Sequence, residues 1–170
     1  RSYYKNSSFS FQGLHVENHH FCTQVRGSKT AKKLEKYLEY MLFSEPTEMI
    51  DNTDLECPSA MFNALFLTEH AKNHFLREGI SLRHICDWMM FRHKYADALD
   101  WKVFDDNSKK FGLWPFAQSM NHLADFIIRG DEKVHNKNDR MLLNDILSDH
   151  ISTSSQAFSL AGRWVLIKEA

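Results

Sequence analysis

The stretch Gly13-Leu14-His15-Val16-Glu17-Asn18-His19-His20 sets a carboxylate between imidazoles at two-residue spacing. In an extended segment alternate side chains point to opposite faces, so His15, Glu17 and His19 share one face and Leu14 and Val16 the other. One face can then pack on a core while the other offers a glutamate flanked by two metal ligands or proton carriers. The same pattern describes a solvated edge strand that does no chemistry, and spacing alone leaves both open. Glu69, His70 and His74 form a second group, with the two imidazoles one helical turn apart, a spacing that can hold a metal. A zinc-protease motif needs a glutamate directly after its first histidine, where Ala71 stands, so that chemistry is excluded. Polar side chains turned to a cleft or to water are the simpler account.

Arg83 and Asp87 are four residues apart and share a helix face. Exposed, such a pair stabilises by at most ~0.5 kcal/mol. In a buried helix the two charges are costly unless hydrogen-bonded, and keeping them there points to a functional cleft. His70, His74, His84 and Asp87 would make a metal hydrolase only by converging on one ion, and the His-Asp dipeptide of that chemistry is missing. There is no glycine-rich phosphate loop and no nucleophile elbow. Gly27-Ser28 opens a helix, a place that suits an anion or merely a cap.

The elements that must position these groups follow from hydrophobic period and punctuation. Aromatic residues at Phe9 and Phe11, a break at Gln12-Gly13 and the alternation from Leu14 to Cys22 predict a hairpin within Tyr3 to Gln24. Two strands with one apolar face are marginally stable by themselves and want a helix or further strands to lie on. After Arg26-Gly27-Ser28 the period changes, and Leu34, Tyr37, Leu38, Met41 and Leu42 predict a helix over 28–44, stopped by Pro46. Glu45 to Pro58 reads as a polar loop. Ser59 caps a second helix with Phe62, Leu65 and Phe66, which turns polar at Glu69, His70, Asn73 and His74 and ends at Gly79. Ser81 caps a third, with Leu82, Ile85, Met89 and Ala96 as its stripe, widened by Trp88, Phe91 and Tyr95, which predicts a central helix. A short helix follows within Asp100 to Gly112, through Trp101, Phe104 and Phe111. Pro115 opens a longer one with Phe116, Met120, Leu123 and Ile127 that ends at Gly130. Asp131 to Asn138 is a charged loop, and Asp139 to Ser148 a last helix with Met141, Leu142, Ile146 and Leu147. The fold class expected is therefore mainly α, five to six helices with a small amino-terminal antiparallel β-hairpin. It divides into a hairpin over 1–26, a helical domain over 27–150 and a weakly structured tail over 151–170, with Trp164 to Ile167 strand-like.

A chain of 170 residues with 43% hydrophobic content is long enough to bury about 70% of its unfolded surface in one core. A formal net charge of −1 with 13% aromatic residues gives neither the signature of disorder nor a clear nucleic-acid surface. Cys22, Cys57 and Cys86 are far apart and never form Cys-x-x-Cys, which argues against a disulfide framework or a zinc knuckle and for a reducing compartment. No apolar run approaches the ~20 residues of a membrane span, and Arg1 to Phe11 has no signal-peptide plan. The expectation is a soluble cytoplasmic protein without a membrane partner. Beginning on Arg with strand-forming residues at once, the chain reads as a piece of something longer.

Taken together, the Gly13 to His20 segment, then Glu69-His70-Ala71-Lys72-Asn73-His74-Phe75, then Gly79-Ile80-Ser81-Leu82-Arg83-His84-Ile85-Cys86-Asp87-Trp88 resemble an uncharacterised family of nucleotidyltransferases with polymerase-beta-like catalytic domains, common in gut Bacteroidetes. The likeness runs from Phe9 to Ile128. Its most specific parts are Leu82-Arg83-x-x-x-Asp87-Trp88 after the Gly79-Ile80 turn and the Val16-Glu17-x-His19 strand. In that family an earlier strand carries Gly-Ser and two catalytic aspartates that bind divalent ions, and a third carboxylate follows on a neighbouring strand. The resemblance implies that Glu17 is that third carboxylate, a metal ligand that takes the proton from the attacking hydroxyl. It implies that His70, His74, Arg83 and Asp87, with His19, belong to the substrate cleft, that Mg²⁺ or Mn²⁺ is the cofactor of the full-length enzyme, and that an NTP and an acceptor are its substrates. The sequence departs from the pattern in having no Gly-Ser with paired aspartates before Glu17, and in Asn18, where Leu is usual. What the likeness then implies is a carboxy-terminal portion, inactive alone, that holds the helical domain and the last strands. The alternative is a non-catalytic helical interaction module whose hairpin docks another chain.

Overall fold

Alternation at the amino end does form a hairpin. In the computed structural model β1 (Asn6–Phe11) pairs antiparallel with β2 (Leu14–His19), with Phe9 opposite Val16 and Phe11 opposite Leu14. The connection is a two-residue turn in which Gln12 and Gly13 take φ of 48° and 80°. Positive φ at both central residues is the turn whose twist matches the strands, and Gln12 adopts it without being glycine. The structure describes residues 6–23, 28–50, 52–77, 79–130 and 136–148. The outer parts of the expected strand region, the tail beyond Ser148 and the Trp164 to Ile167 segment lie outside them.

Six helices follow among the described residues: α1 (Lys29–Ser44), α2 (Ala60–Arg77), α3 (Leu82–Lys94), α4 (Trp101–Lys110), α5 (Trp114–Arg129) and α6 (Lys137–Ser148). Their starts obey the capping chemistry. The Ser28 hydroxyl accepts the Ala31 N–H at 3.2 Å, Ser59 that of Phe62 at 3.2 Å, and one Asp100 oxygen those of Lys102 and Val103. Pro115 lies in the first turn of α5, and Gly130 ends that helix in the left-handed conformation at φ 63°. The core is one cluster to which all six helices contribute, with Leu38, Leu65, Phe75, Ile85, Trp88, Phe104, Phe116 and Leu142 among its most buried members. The architecture is thus mainly helical with a small amino-terminal antiparallel sheet.

Three expectations are corrected. The polar loop from Glu45 to Pro58 contains a second miniature hairpin, β3 (Glu48–Met49) on β4 (Glu56–Cys57), closed by Ile50 N–H to Leu55 O at 2.9 Å. Strands of two residues are too short to show any alternation. Helix α3 is not central: only Ile85 and Trp88 within it are buried, while Leu82 and Met90 are exposed and Ala96 lies beyond its end. The inner place belongs to α5, which buries Phe116, Ala117, Met120, Leu123 and Ala124 and packs on α2, α3, α4 and α6. Leu42, Ile127 and Leu147, expected on buried stripes, sit at their exposed flanks.

The hairpin joins this body through Glu35 of α1. Its two carboxylate oxygens accept the backbone N–H of Cys22 at 3.0 Å and of Thr23 at 2.6 Å, while the Thr23 hydroxyl donates to Ala31 O. By contrast Phe9, Phe11 and Leu14, on one face of the hairpin, are 53%, 59% and 69% exposed. Val16, opposite Phe9 on the same face, is half-buried.

Candidate functional site

Helices α2 and α3 are joined by a turn that a glycine makes possible. Gly79 sits at φ +96° and gives its N–H to His74 O at 2.9 Å. A Cβ there would lie 2.9 Å from Asp145 Oδ2 on α6. Asp145 comes that close because its Oδ2 accepts the N–H of the next residue, Ile80, at 2.9 Å. The carboxylate thus fixes the turn, Ile80 is buried, and Ser81 starts α3 with its N–H given to His84 Nδ1 at 3.2 Å. On the next face of α3, Trp88 is held from behind, its indole N–H donating to Asn121 Oδ1 of α5 at 2.9 Å. One turn further, Arg92 pairs with Asp125 at 3.0 Å. These contacts set the angle at which α3 leaves α2.

Between the two helices lies a cavity of about 470 Å³, within the range of small-molecule sites, ~300–1,000 Å³. Helix α2 lines it with Phe66, Leu67, His70 and Ala71, and Met120 of α5 closes it behind. Helix α3 lines it with Ser81, Arg83, His84, Asp87 and the ring of Trp88. The walls are mostly apolar, with His70 the polar group on the α2 side and the others at the α3 edge.

Of the residues singled out by sequence, the structure brings His70, Arg83 and Asp87 to this one cavity. Arg83 Nε lies 3.7 Å from Asp87 Oδ2, with the two side chains 86% and 63% exposed. The pair is therefore a solvated one that contributes at most ~0.5 kcal/mol, and the buried-pair argument for a cleft does not apply. The case for a cleft is the cavity itself. His74 stands beside it in a row of rings: Phe66 to His70 at 5.7 Å, His70 to His74 at 4.5 Å and His74 to His84 at 5.4 Å between centroids. Burial pushes His84 below the ordinary imidazole value, and the neighbouring His74 acts in the same direction. Glu69, grouped with these histidines by sequence, is buried and pairs instead with Lys72 at 2.7 Å and Asn73.

No described side chain of the hairpin is among the cavity lining. Its register puts strand positions 15, 17 and 19 on one face, with residue 17 opposite Ser8, and His15 and His19 are exposed. Among the described residues no group of three or more His, Cys, Asp or Glu side chains is placed to hold a metal ion. A hydrolase centre built from His70, His74, His84 and Asp87 is therefore absent among them. The three cysteines are half-buried, and no helix among the described residues is long and apolar enough to cross a membrane.

Sequence reasoning missed Phe66, Leu67, Ser81 and Met120 as cavity residues and Asn121 as the partner of Trp88. Only Ser81 had a local signal, as a cap. A family model described as an uncharacterised nucleotidyltransferase matches residues 1–127, a range that contains the hairpin, the cavity and its supporting turn. No curated protein and no solved structure matches the chain.

Proposed function

Because the chain belongs to this nucleotidyltransferase family over residues 1–127, we propose that it is the helical substrate-binding portion of such an enzyme, with the α2–α3 cavity as the site that holds the acceptor. The observation that carries this is the meeting of His70, Arg83 and Asp87, from two helices, at a single cavity of small-molecule size. Such a transferase joins an attacking group of the acceptor to the α-phosphorus of an NTP as pyrophosphate leaves. Charge develops on several oxygens at once, so clustered carboxylates and divalent ions, Mg²⁺ or Mn²⁺, are needed.

One carboxylate is not such a cluster. Glu17 supplies one, on a strand held to the helical body by Glu35, and accepts the proton that the attacking group releases. His19, two residues on along β2, flanks it. The sequence before Glu17 contains no Gly-Ser followed by paired aspartates, and on this proposal the polypeptide alone does not transfer nucleotides. Incubation of the pure chain with Mg²⁺, labelled NTPs and candidate acceptors gives no labelled product. Adding a polypeptide that carries the Gly-Ser strand and its aspartates restores incorporation. Robust incorporation by the chain alone, or none with the added strand, contradicts the proposal.

A second account is favoured by one observation, the uncovered Phe9, Phe11 and Leu14: a non-catalytic helical module whose hairpin docks another protein. It predicts a complex that forms without NTP or metal and survives Arg83→Gln and Asp87→Asn, with no incorporation under any condition.

A further inference from the structure

We infer that the α2–α3 cavity binds a small zwitterion with an apolar body, the chemistry of a free apolar α-amino acid, with its carboxylate on Arg83, its ammonium on Asp87 and its side chain between Phe66 and Trp88. The inference rests on the cavity being a substrate site and names the class of that substrate, whose amine is the group that gives up a proton and attacks the α-phosphorus as pyrophosphate leaves. Arg83 and Asp87 bring charges of opposite sign to the described lining. They stand 3.7 Å apart. A simple anion would gain the guanidinium but meet the carboxylate beside it, and a simple cation would meet the reverse. An ammonium and a carboxylate borne on one carbon match both.

The pair leaves its charges available. The contact runs from Nε at a distance beyond a hydrogen bond, so the forked end of the guanidinium can take a carboxylate in the two-pronged geometry that arginine favours. The body of the ligand is dictated by the walls. Phe66, Leu67, Ala71 and Met120 offer no polar atoms from their side chains, and the Trp88 N–H is already committed to Asn121. Hydroxyls laid against these apolar walls would be buried without partners, at a cost, whereas an aromatic or branched apolar group stacks on Phe66 and Trp88.

The test is calorimetric titration of the 170-residue chain with L-phenylalanine, N-acetyl-L-phenylalanine, which lacks the ammonium, and L-phenylalaninamide, which lacks the carboxylate. The Trp88 indole N–H resonance serves as the site marker. Phenylalanine binds, and each derivative binds at least about tenfold more weakly, the equivalent of ~1.4 kcal/mol. Arg83→Gln lowers phenylalanine to the level of the amide, and Asp87→Asn to the level of the acetyl derivative. Both changes are on exposed side chains, so the fold persists, which circular dichroism checks. A derivative that binds as tightly as phenylalanine while shifting the Trp88 signal overturns the zwitterion class and leaves the substrate site standing. If no probe shifts that signal, and both variants incorporate nucleotide normally once the aspartate-bearing strand is added, the class and the site fail together.

Discussion

Replacing Gly79 by alanine tests the turn on which the cavity depends. At φ +96° a residue with a Cβ is strained by ~1–2 kcal/mol. The new Cβ would also stand 2.9 Å from Asp145 Oδ2, so the carboxylate must withdraw from the Ile80 N–H, and a hydrogen bond to a charged group is worth ~1.5–3 kcal/mol. Alanine regains ~0.4–1 kcal/mol by restricting the unfolded chain. The net loss is then about 2–4 kcal/mol, a large share of the ~5–15 kcal/mol that holds a domain folded. Urea denaturation followed by far-ultraviolet circular dichroism measures it, with an unchanged m-value as the check that only stability moved. Asp145→Ala removes the carboxylate that the Cβ would meet, so in that background Gly79→Ala costs only the conformational part, about 1 kcal/mol after the same offset. Additivity of the two substitutions within ~0.5 kcal/mol would refute the close-approach argument, as would a Gly79→Ala variant as stable as the parent.

Two further outcomes follow from the same contacts. His84 holds its proton less readily in the folded chain than in the unfolded one, where the imidazole value is 6.5, because burial and then His74 disfavour its charge, with Arg83 adding to and Asp87 opposing that effect. Above that value both states are neutral there and the effect vanishes. As pH falls through it the unfolded chain gains a proton that the folded chain resists, and stability drops. Between pH 7.5 and 5.5 the parent therefore loses more stability than His84→Gln, and equal losses would contradict the assignment. Glu35→Ala strips the Cys22 and Thr23 N–H groups of their acceptors, which costs about 2 kcal/mol and speeds hydrogen exchange at those two amides, whereas Glu39→Ala, exposed on the same helix, leaves both unchanged.

Much of the fold is local and so can be read from the chain. Ser28, Ser59, Asp100, Pro115 and Gly130 mark helix ends because they act on backbone groups within a few residues of themselves. Alternation from Leu14 to His19 fixes the strand and its two faces, but not whether either face is covered, which depends on chain elsewhere. The breadth of a buried stripe is equally non-local. Leu82 and Met90 carry the right chemistry for a core, yet the neighbours of α3 cover only the side with Ile85 and Trp88.

The site was legible as residues and not as a place. His70, Arg83 and Asp87 stand out by type and spacing, but the cavity that unites them needs Met120 behind it and a turn held by Asp145, whose sequence positions bear no relation to theirs. Gly79 looks like an ordinary helix stop. Its structural reason, space for a carboxylate from α6, has no trace near it in the sequence.

The central claim is that Glu17 completes an ion-binding cluster whose other carboxylates come from the aspartate-bearing strand. Its most direct test is Mn²⁺ affinity, followed by electron paramagnetic resonance, of the chain assembled with that strand and an NTP, in parent and Glu17→Gln forms. The account predicts an affinity at least about tenfold lower in the variant, ~1.4 kcal/mol, together with loss of nucleotide incorporation. Equal Mn²⁺ affinity and undiminished incorporation in the variant would contradict it.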